Sequence, residues 1–253
     1  SPAITPAPAG AGIWIVTPEG PAAAAIAATA PSAEWIIAVS AANRERLLAW
    51  TPLDDLPPDT GIALVETDAE GRPQPGGLAA DLRRDEVLAI PAGADRRFLL
   101  RTGPAREMTL NLQPGWNAIA LPLSPWLPAP TAVFADVAVS PQVWRWDAAS
   151  GAYVPAAVIE PLTGYWVYAD AACLLTLRGT PLSRPVLSLF PGWNLVGVER
   201  PRQGLGGLVW RPAESLAVGP PEAAAAPAAV LPPGVAFWVR SDERLEVFLE
   251  SSE

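Results

Sequence analysis

Short apolar runs separated by proline and glycine dominate the sequence. Between residues 11 and 104, six runs have the length of a β-strand, and turn residues separate them at intervals of roughly 8–20 residues. These runs are GIWIVTPEG, EWIIAVSAA, RERLLAWTPL, GIALVETD, EVLAIP and RRFLLRTG. This spacing predicts a β-sandwich over residues 11–104.

The remainder of the chain also has the pattern of short strands. MTLNLQPGWNAIALPL alternates on both sides of a Pro-Gly turn, and VWRWDAASGAYVP has a turn sequence between two strand-like runs. GYWVYAD and AFWVRSD are two further strand candidates that each end at an aspartate. The 31 prolines and 20 glycines leave little room for long helices. The sequence therefore predicts an all-β protein.

Three motifs in the second part of the chain occur twice in the same order. Pro-Gly-Trp-Asn, a Val-Trp-Arg strand and an aromatic-Trp-Val strand recur at offsets of 77, 66 and 72 residues. The matched tryptophans are Trp116 with Trp193, Trp144 with Trp210, and Trp166 with Trp238. The unequal offsets place insertions between the motifs, as expected for loops between fixed strands. The pattern predicts a duplicated small β unit, with one copy over residues 105–180, a second over 181–253, and both packed together.

The motifs GWNAIALPLSP, VWRWD and IEPLTGYWVYADAACLLTLRG resemble Gly-Trp-Asn repeats of secreted bacterial surface proteins. The stretch LAWTPLDDLPPDTGIALVETD…RRFLLRTG resembles the immunoglobulin- or fibronectin-III-like module that precedes such repeats. The resemblance implies extracytoplasmic structural, adhesive or anchoring roles, and it brings no catalytic residues. The second copy departs from the pattern where VGVERPRQGLGG and PPGVAFWV stand.

Charge and composition exclude several classes of function. The net charge is −9 and the chain contains no histidine, so nucleic-acid binding is not expected, since it depends on clustered positive charge. Without histidine the chain lacks the side chain that most often performs acid–base and metal chemistry. No nucleophile, phosphate-binding or metal motif is present. We therefore predict that the protein is not an enzyme and has no cofactor.

Three features of the sequence bear on the compartment of the protein. No run of 18 apolar residues exists, so no transmembrane segment is expected. The opening SPAITPAPAG (1–10) is typical of a Pro-rich linker and could tether the protein at its N-terminus. The single cysteine, Cys173, cannot form an internal disulfide and is expected to be a small buried residue. We expect an extracytoplasmic location, in the periplasm or at the cell surface.

Aromatic residues supply the candidate binding sites. Trp146 lies two residues after Trp144 and across a predicted hairpin from Tyr153, so these rings share one face and could contact a sugar or a partner protein. Trp126, in the loop SPWLPAP, is the second candidate, because no apolar periodicity surrounds it and it is expected to protrude. Trp116, by contrast, is expected to fill the core beside its turn while Asn117 binds the turn amides.

Acidic residues give only a weak alternative. They cluster in two segments, at Asp54, Asp55 and Asp59 and at Glu66, Asp68 and Glu70. Alternating acids can bind Ca²⁺, but the spacing of an EF-hand is absent.

Our leading hypothesis is a non-catalytic extracytoplasmic subunit that docks onto other proteins. The alternative is a carbohydrate-binding or adhesive module that uses aromatic platforms.

Overall fold

A computed structural model describes the chain over residues 12–17, 20–25, 33–50, 53, 56–135, 137, 139–140, 142–205, 208–213 and 230–249, with the backbone alone at 12–17, 20–25 and 33. The chain divides into two compact units, Ser1–Ala105 and Arg106–Glu253. In the described ranges all regular structure is antiparallel β apart from one helical turn, α1 (Pro130–Val133). The predicted all-β fold is confirmed. The predicted linker over 1–10 lies outside the described residues.

Unit 1 contains two four-stranded sheets. Its strands are β1 (Gly12–Thr17), β2 (Gly20–Ala25), β3 (Ala33–Val39), β4 (Arg46–Trp50), β5 (Thr60–Thr67), β6 (Ala79–Asp81), β7 (Val87–Ile90) and β8 (Arg96–Pro104). One sheet has the order β2-β1-β4-β7 and the other the order β3-β8-β5-β6. Each of the six predicted runs contains a strand, and β2 and β6 are additional.

The two sheets of unit 1 share one hydrophobic core. Leu48 and Leu88 of the first sheet pack in the same buried cluster as Leu64 and Phe98 of the second. Period-2 alternation along these strands directs the apolar residues to this side. The core therefore forms between the two sheets.

Within its described residues, unit 2 contains four sheets of two to four strands. Its strands are β9 (Arg106–Leu112), β10 (Gly115–Ala120), β11 (Leu123–Pro125), β12 (Trp144–Asp147), β13 (Ala152–Pro155), β14 (Gly164–Ala169), β15 (Cys173–Pro181), β16 (Val186–Leu189), β17 (Gly192–Val196), β18 (Val209–Pro212), β19 (Phe237–Ser241) and β20 (Leu245–Phe248). In what we call the first half, β11-β15-β9 form an outer sheet and β10-β14-β12-β13 an inner sheet. In the second half, β17-β19-β18 form the inner sheet and β16-β20 the outer sheet.

Three hydrophobic clusters hold these four sheets together. In the first half, residues of β9 and β15 pack against Tyr165 and Val167 of β14. In the second half, residues of β16 pack against Phe237 of β19. Between the halves, Trp166 of β14 packs with Trp238 of β19. Because successive strand residues face opposite sides, β14 and β19 each contribute to two clusters.

Backbone contacts between the two inner sheets are reciprocal. The Ala120 amide donates to the Gly234 carbonyl at 3.2 Å, and the Gly197 amide donates to the Leu162 carbonyl at 2.8 Å. Residues 120 and 197 are separated by the 77-residue offset, and residues 162 and 234 by the 72-residue offset. Each half thus presents the same backbone positions to the other, as in an isologous two-fold contact.

The two Pro-Gly-Trp-Asn segments form matching turns. Asn117 Oδ1 accepts the Gln113 amide at 2.9 Å, and its Nδ2 donates to the Gln113 and Gly115 carbonyls at 2.8 and 3.0 Å. Asn194 makes the corresponding pair of bonds to the Phe190 amide and carbonyl, at 2.9 and 2.8 Å. The predicted role of asparagine in tying these turns is confirmed.

Candidate functional site

An exposed aromatic pair lies on the inner sheet of the first half. Trp116 of β10 stands directly opposite Tyr168 of β14 in the register. Their ring centroids are 5.3 Å apart and the planes meet at 75°, an edge-to-face arrangement. Trp116 is 42% exposed and Tyr168 is 38% exposed. Two large rings on paired strands thus form a fixed apolar surface in contact with solvent.

The strand alternation explains why Trp116 is exposed. Trp116, Ala118 and Ala120 share the face of β10 that is directed to the second half. Ala118 and Ala120 lie in the cluster between the halves, whereas Trp116 stands two residues beyond it. The expectation that Trp116 fills the core is therefore wrong, since the contact between the sheets ends before its position.

The matching position in the second half is half-buried. Trp193 stands opposite Arg240 instead of an aromatic residue. The Trp146 indole donates to the Trp193 carbonyl at 2.8 Å, and Trp193 packs against the cluster between the halves. The aromatic pair of Trp116 and Tyr168 is thus a feature of the first half, and the fold itself does not require it.

Two predicted contact residues, Trp146 and Tyr153, lie at the junction of the halves. Their ring centroids are 5.0 Å apart, and the Trp146 centroid is 5.2 Å from that of Trp238. Both side chains are half-buried, and burial raises the pKa of Tyr153. Much of their aromatic surface is therefore used to join the halves.

The third predicted contact residue, Trp126, does not protrude. It is only 5% exposed, and its amide donates to the Arg178 carbonyl of β15 at 3.2 Å. This bond continues the pairing of β11 with β15, so Trp126 is held against the unit although its proline-rich surroundings are typical of an exposed loop. The prediction that Trp126 is an exposed anchor is wrong.

The predicted match of Trp144 with Trp210 is wrong by one residue. Trp144 pairs with Trp166, and the residue paired with Trp238 is Arg211. Trp144 accordingly packs between the halves, whereas Trp210 lies in the core behind the inner sheet. A shift of one residue moves a side chain to the opposite face of a strand.

The acidic segment at 66–70 is engaged with arginines. Glu66 is buried and pairs with Arg96 at 2.7 Å, while Asp68 and Glu70 pair with Arg72 at 2.9 and 3.1 Å. Hydrogen bonds from Arg72 hold the pKa of Asp68 below its usual range. Asp54 and Asp55 lie outside the described residues. Within the described part of the chain, no three metal-binding side chains come together.

Comparisons with protein-family models, curated proteins and solved structures found no match to this chain. None of the helices in the described ranges has the length and apolar character needed to cross a membrane. Sequence reasoning missed the Trp116–Tyr168 pair, although Tyr168 stands two residues after Trp166 and so shares its face. The pair offers two large apolar faces for binding.

Proposed function

We propose that this protein is a non-catalytic, extracytoplasmic accessory subunit that docks onto another protein through Trp116 and Tyr168. The observation that carries the proposal is the exposure of these two rings side by side on a rigid sheet. Aromatic residues are enriched among the few residues that supply most of the energy of an interface. The strands that carry the rings are fixed by their pairing and the rings pack edge-to-face on each other, which reduces the side-chain freedom that binding would remove.

The architecture supports a scaffold role. We propose that unit 2 arose by duplication, since its halves share strand pairings, turn hydrogen bonds and a reciprocal contact. We further propose that unit 1 is an immunoglobulin- or fibronectin-III-like sandwich. The pairings β1-β4-β7 and β8-β5-β6 fit strands A-B-E and F-C-C′ of such a domain, and β3 takes the place of the last strand beside F.

The alternative, a carbohydrate-binding or adhesive module, would use the same rings. A sugar site needs two or three exposed aromatics with polar groups around them in a groove, whereas a protein interface is broader and flatter. The edge-to-face angle of the pair leaves no single flat platform for a sugar ring. This geometry favours a protein partner.

The test compares variants in their ability to retain a partner. The tagged full chain, Trp116→Ala, Tyr168→Ala and Leu174→Ala are used to recover proteins from the envelope fraction of the source cells. Leu174 is 66% exposed and serves as a matched control for the loss of exposed apolar area. A recovered protein is then purified and its affinity for each variant is measured.

We expect the wild type and Leu174→Ala to bind equally and Trp116→Ala to lose more than about tenfold in affinity. Equal binding by all variants, or no partner at all, would refute the docking proposal. Binding of the chain to immobilised glycans that is lost in Trp116→Ala would instead establish the carbohydrate alternative.

A further inference from the structure

A groove of about 380 Å³ lies beside β16 in unit 2. Three successive strand residues, Val186, Leu187 and Ser188, line it. Since alternate residues of a strand face opposite sides, a cavity lined by three in succession must lie along the strand's edge. The segments 145–148 and 160–163 also line the groove, as do Phe190 and residues 194–196.

On the edge of β16 that faces this groove, no backbone group is bonded by another residue of the described ranges. Among the described residues, the only strand paired with β16 is β20. The Leu249 amide donates to the Pro185 carbonyl at 2.8 Å, so the alternation of an antiparallel ladder makes Leu187 and Leu189 the residues bonded to β20. The amides and carbonyls of Val186 and Ser188 consequently point into the groove.

The next position along the same edge shows how these groups can be satisfied. The Phe190 amide and carbonyl also point away from β20, and the Asn194 side chain binds both of them. The Asn194 amide thus imitates one residue of a neighbouring strand. An added strand would continue this ladder from Phe190 past Ser188 to Val186.

The outer face of this edge differs between the halves. Val186, Phe190 and Phe248 share the outer face of the second half, and Phe248 is 62% exposed. The residues 77 positions before Val186 and Phe190 are Thr109 and Gln113, which are polar. Since the same fold accommodates polar residues in the first half, the apolar residues of the second half are not needed for its core.

The groove also has a preference of charge. The Glu160 carboxylate, which lies in the lining of the groove, makes no ion pair with any described residue. Arg145 lies near Asp147 and lowers the pKa of that carboxyl, after the larger effect of the Ser150 hydroxyl. Asp147, Glu160 and Arg145 all line the groove, so two acidic groups stand against one basic group, and the net negative charge favours a cationic group.

We propose that β16 binds an extended segment of another protein by β-strand addition. The segment carries apolar side chains at the alternate positions beside Val186 and Phe190, and a lysine or arginine that reaches Glu160. Main-chain bonds to Val186 and Ser188 would provide affinity, and these side chains would provide specificity. This site shares with the proposed function only the premise that the partner is a protein.

The first test uses a displayed library of random seven-residue peptides, selected on the full chain. We expect selected peptides to have alternating apolar residues and one lysine or arginine. Ser188→Pro should lower their affinity at least tenfold, since it removes an amide that points into the groove and leaves the bonds to β20 intact. The matched control is Asn111→Pro, at the corresponding edge position of β9, and it should bind as the wild type does.

Two further measurements keep the proposal testable if Ser188→Pro disturbs folding. Glu160→Lys should change the selected charge from basic to acidic. In the wild type, the Val186 and Ser188 amides should exchange rapidly with solvent, and a saturating selected peptide should slow their exchange at least tenfold. The Leu187 and Leu189 amides should be slow in both states.

The proposal is overturned if no peptide is enriched above background, or if Ser188→Pro and Asn111→Pro bind the selected peptides equally. It is also overturned if the Val186 and Ser188 amides exchange slowly in the free chain, because the edge would then already be covered. Trp116→Ala should leave peptide binding unchanged, so a failure at this edge and a failure of the docking proposal can be told apart.

Discussion

The contact between the two inner sheets makes a sharp prediction at Gly197. A Cβ built there would lie 2.2 Å from the Cβ of Ala120, and the next nearest atom, the Val235 carbonyl oxygen, is 3.4 Å away. Non-bonded carbons reach their energy minimum at about 3.5–4.0 Å. In Gly197→Ala the sheets would have to separate by more than about 1 Å at this point, and overpacking of this kind costs about 1–3 kcal/mol.

The same geometry predicts that a second substitution rescues the first. Ala120 and Gly197 occupy matching positions in the two halves, so Ala120→Gly with Gly197→Ala moves one methyl group across the contact. Ala120→Gly alone should cost about 1–2 kcal/mol, from the lost methyl burial and the added freedom of the unfolded chain. The double variant should lie within about 1 kcal/mol of wild type, a favourable coupling of about 2–3 kcal/mol.

The assay is urea unfolding of the full chain, followed by tryptophan fluorescence and by near-UV circular dichroism. Both probes report on Trp166 and Trp238, which pack beside this contact. A transition of unit 1, where it is resolved, should be unchanged in every variant. If the double variant is no more stable than Gly197→Ala alone, the close approach of the two methyl positions is not the cause of the loss.

The remaining predictions concern polar groups that are buried or half-buried. Asn117→Ala and Asn194→Ala should each destabilise unit 2 by about 1–3 kcal/mol, measured by urea unfolding, because backbone groups of the turn lose their partners; an unchanged midpoint would contradict this. Glu66→Gln should destabilise unit 1 by about 1–3 kcal/mol, since it leaves the half-buried Arg96 without its charge partner, and a thermal melt unaffected by the change would count against it. Burial raises the pKa of Tyr165 above its ordinary value of 10.0, so the folded state keeps a proton that the unfolded chain loses. Stability should therefore fall as the pH rises above about 10, and Tyr165→Phe should flatten that fall in unfolding experiments at pH 9–11.

Period-2 alternation and turn residues were sufficient to predict most of the strands. They did not predict all of them. The Ala-rich segment of β2 lacks the β-branched residues that indicate a strand. It nevertheless forms a strand, because it pairs with β1 along its whole length. The matching of Trp144 with Trp210 failed for a related reason. The sequence match aligned the two indoles with each other. The strand register instead aligns residues that lie on the same face of the sheet, and the face decides which core a side chain enters.

Exposure was less predictable than strand content. The proline-rich surroundings of Trp126 indicated an exposed loop, but the ring is buried, because Trp126 continues the pairing of β11 with β15. The reverse holds for Trp116, whose apolar context indicated a core position although the ring is exposed. Whether a strand residue is covered depends on how far the neighbouring sheet extends, and no local pattern encodes that distance.

The two halves of unit 2 agree where they hold each other and differ where they meet solvent. The turn asparagines, the reciprocal amide bonds and the paired indoles Trp166 and Trp238 recur in both. Tyr168 faces Trp116 in one half, whereas Arg240 faces Trp193 in the other. Selection for folding alone would constrain the shared positions and leave the outward ones free to become polar. Where one half has a large apolar side chain at an outward position and the other half has a polar one, we therefore propose binding as the reason, and these positions should be tested first.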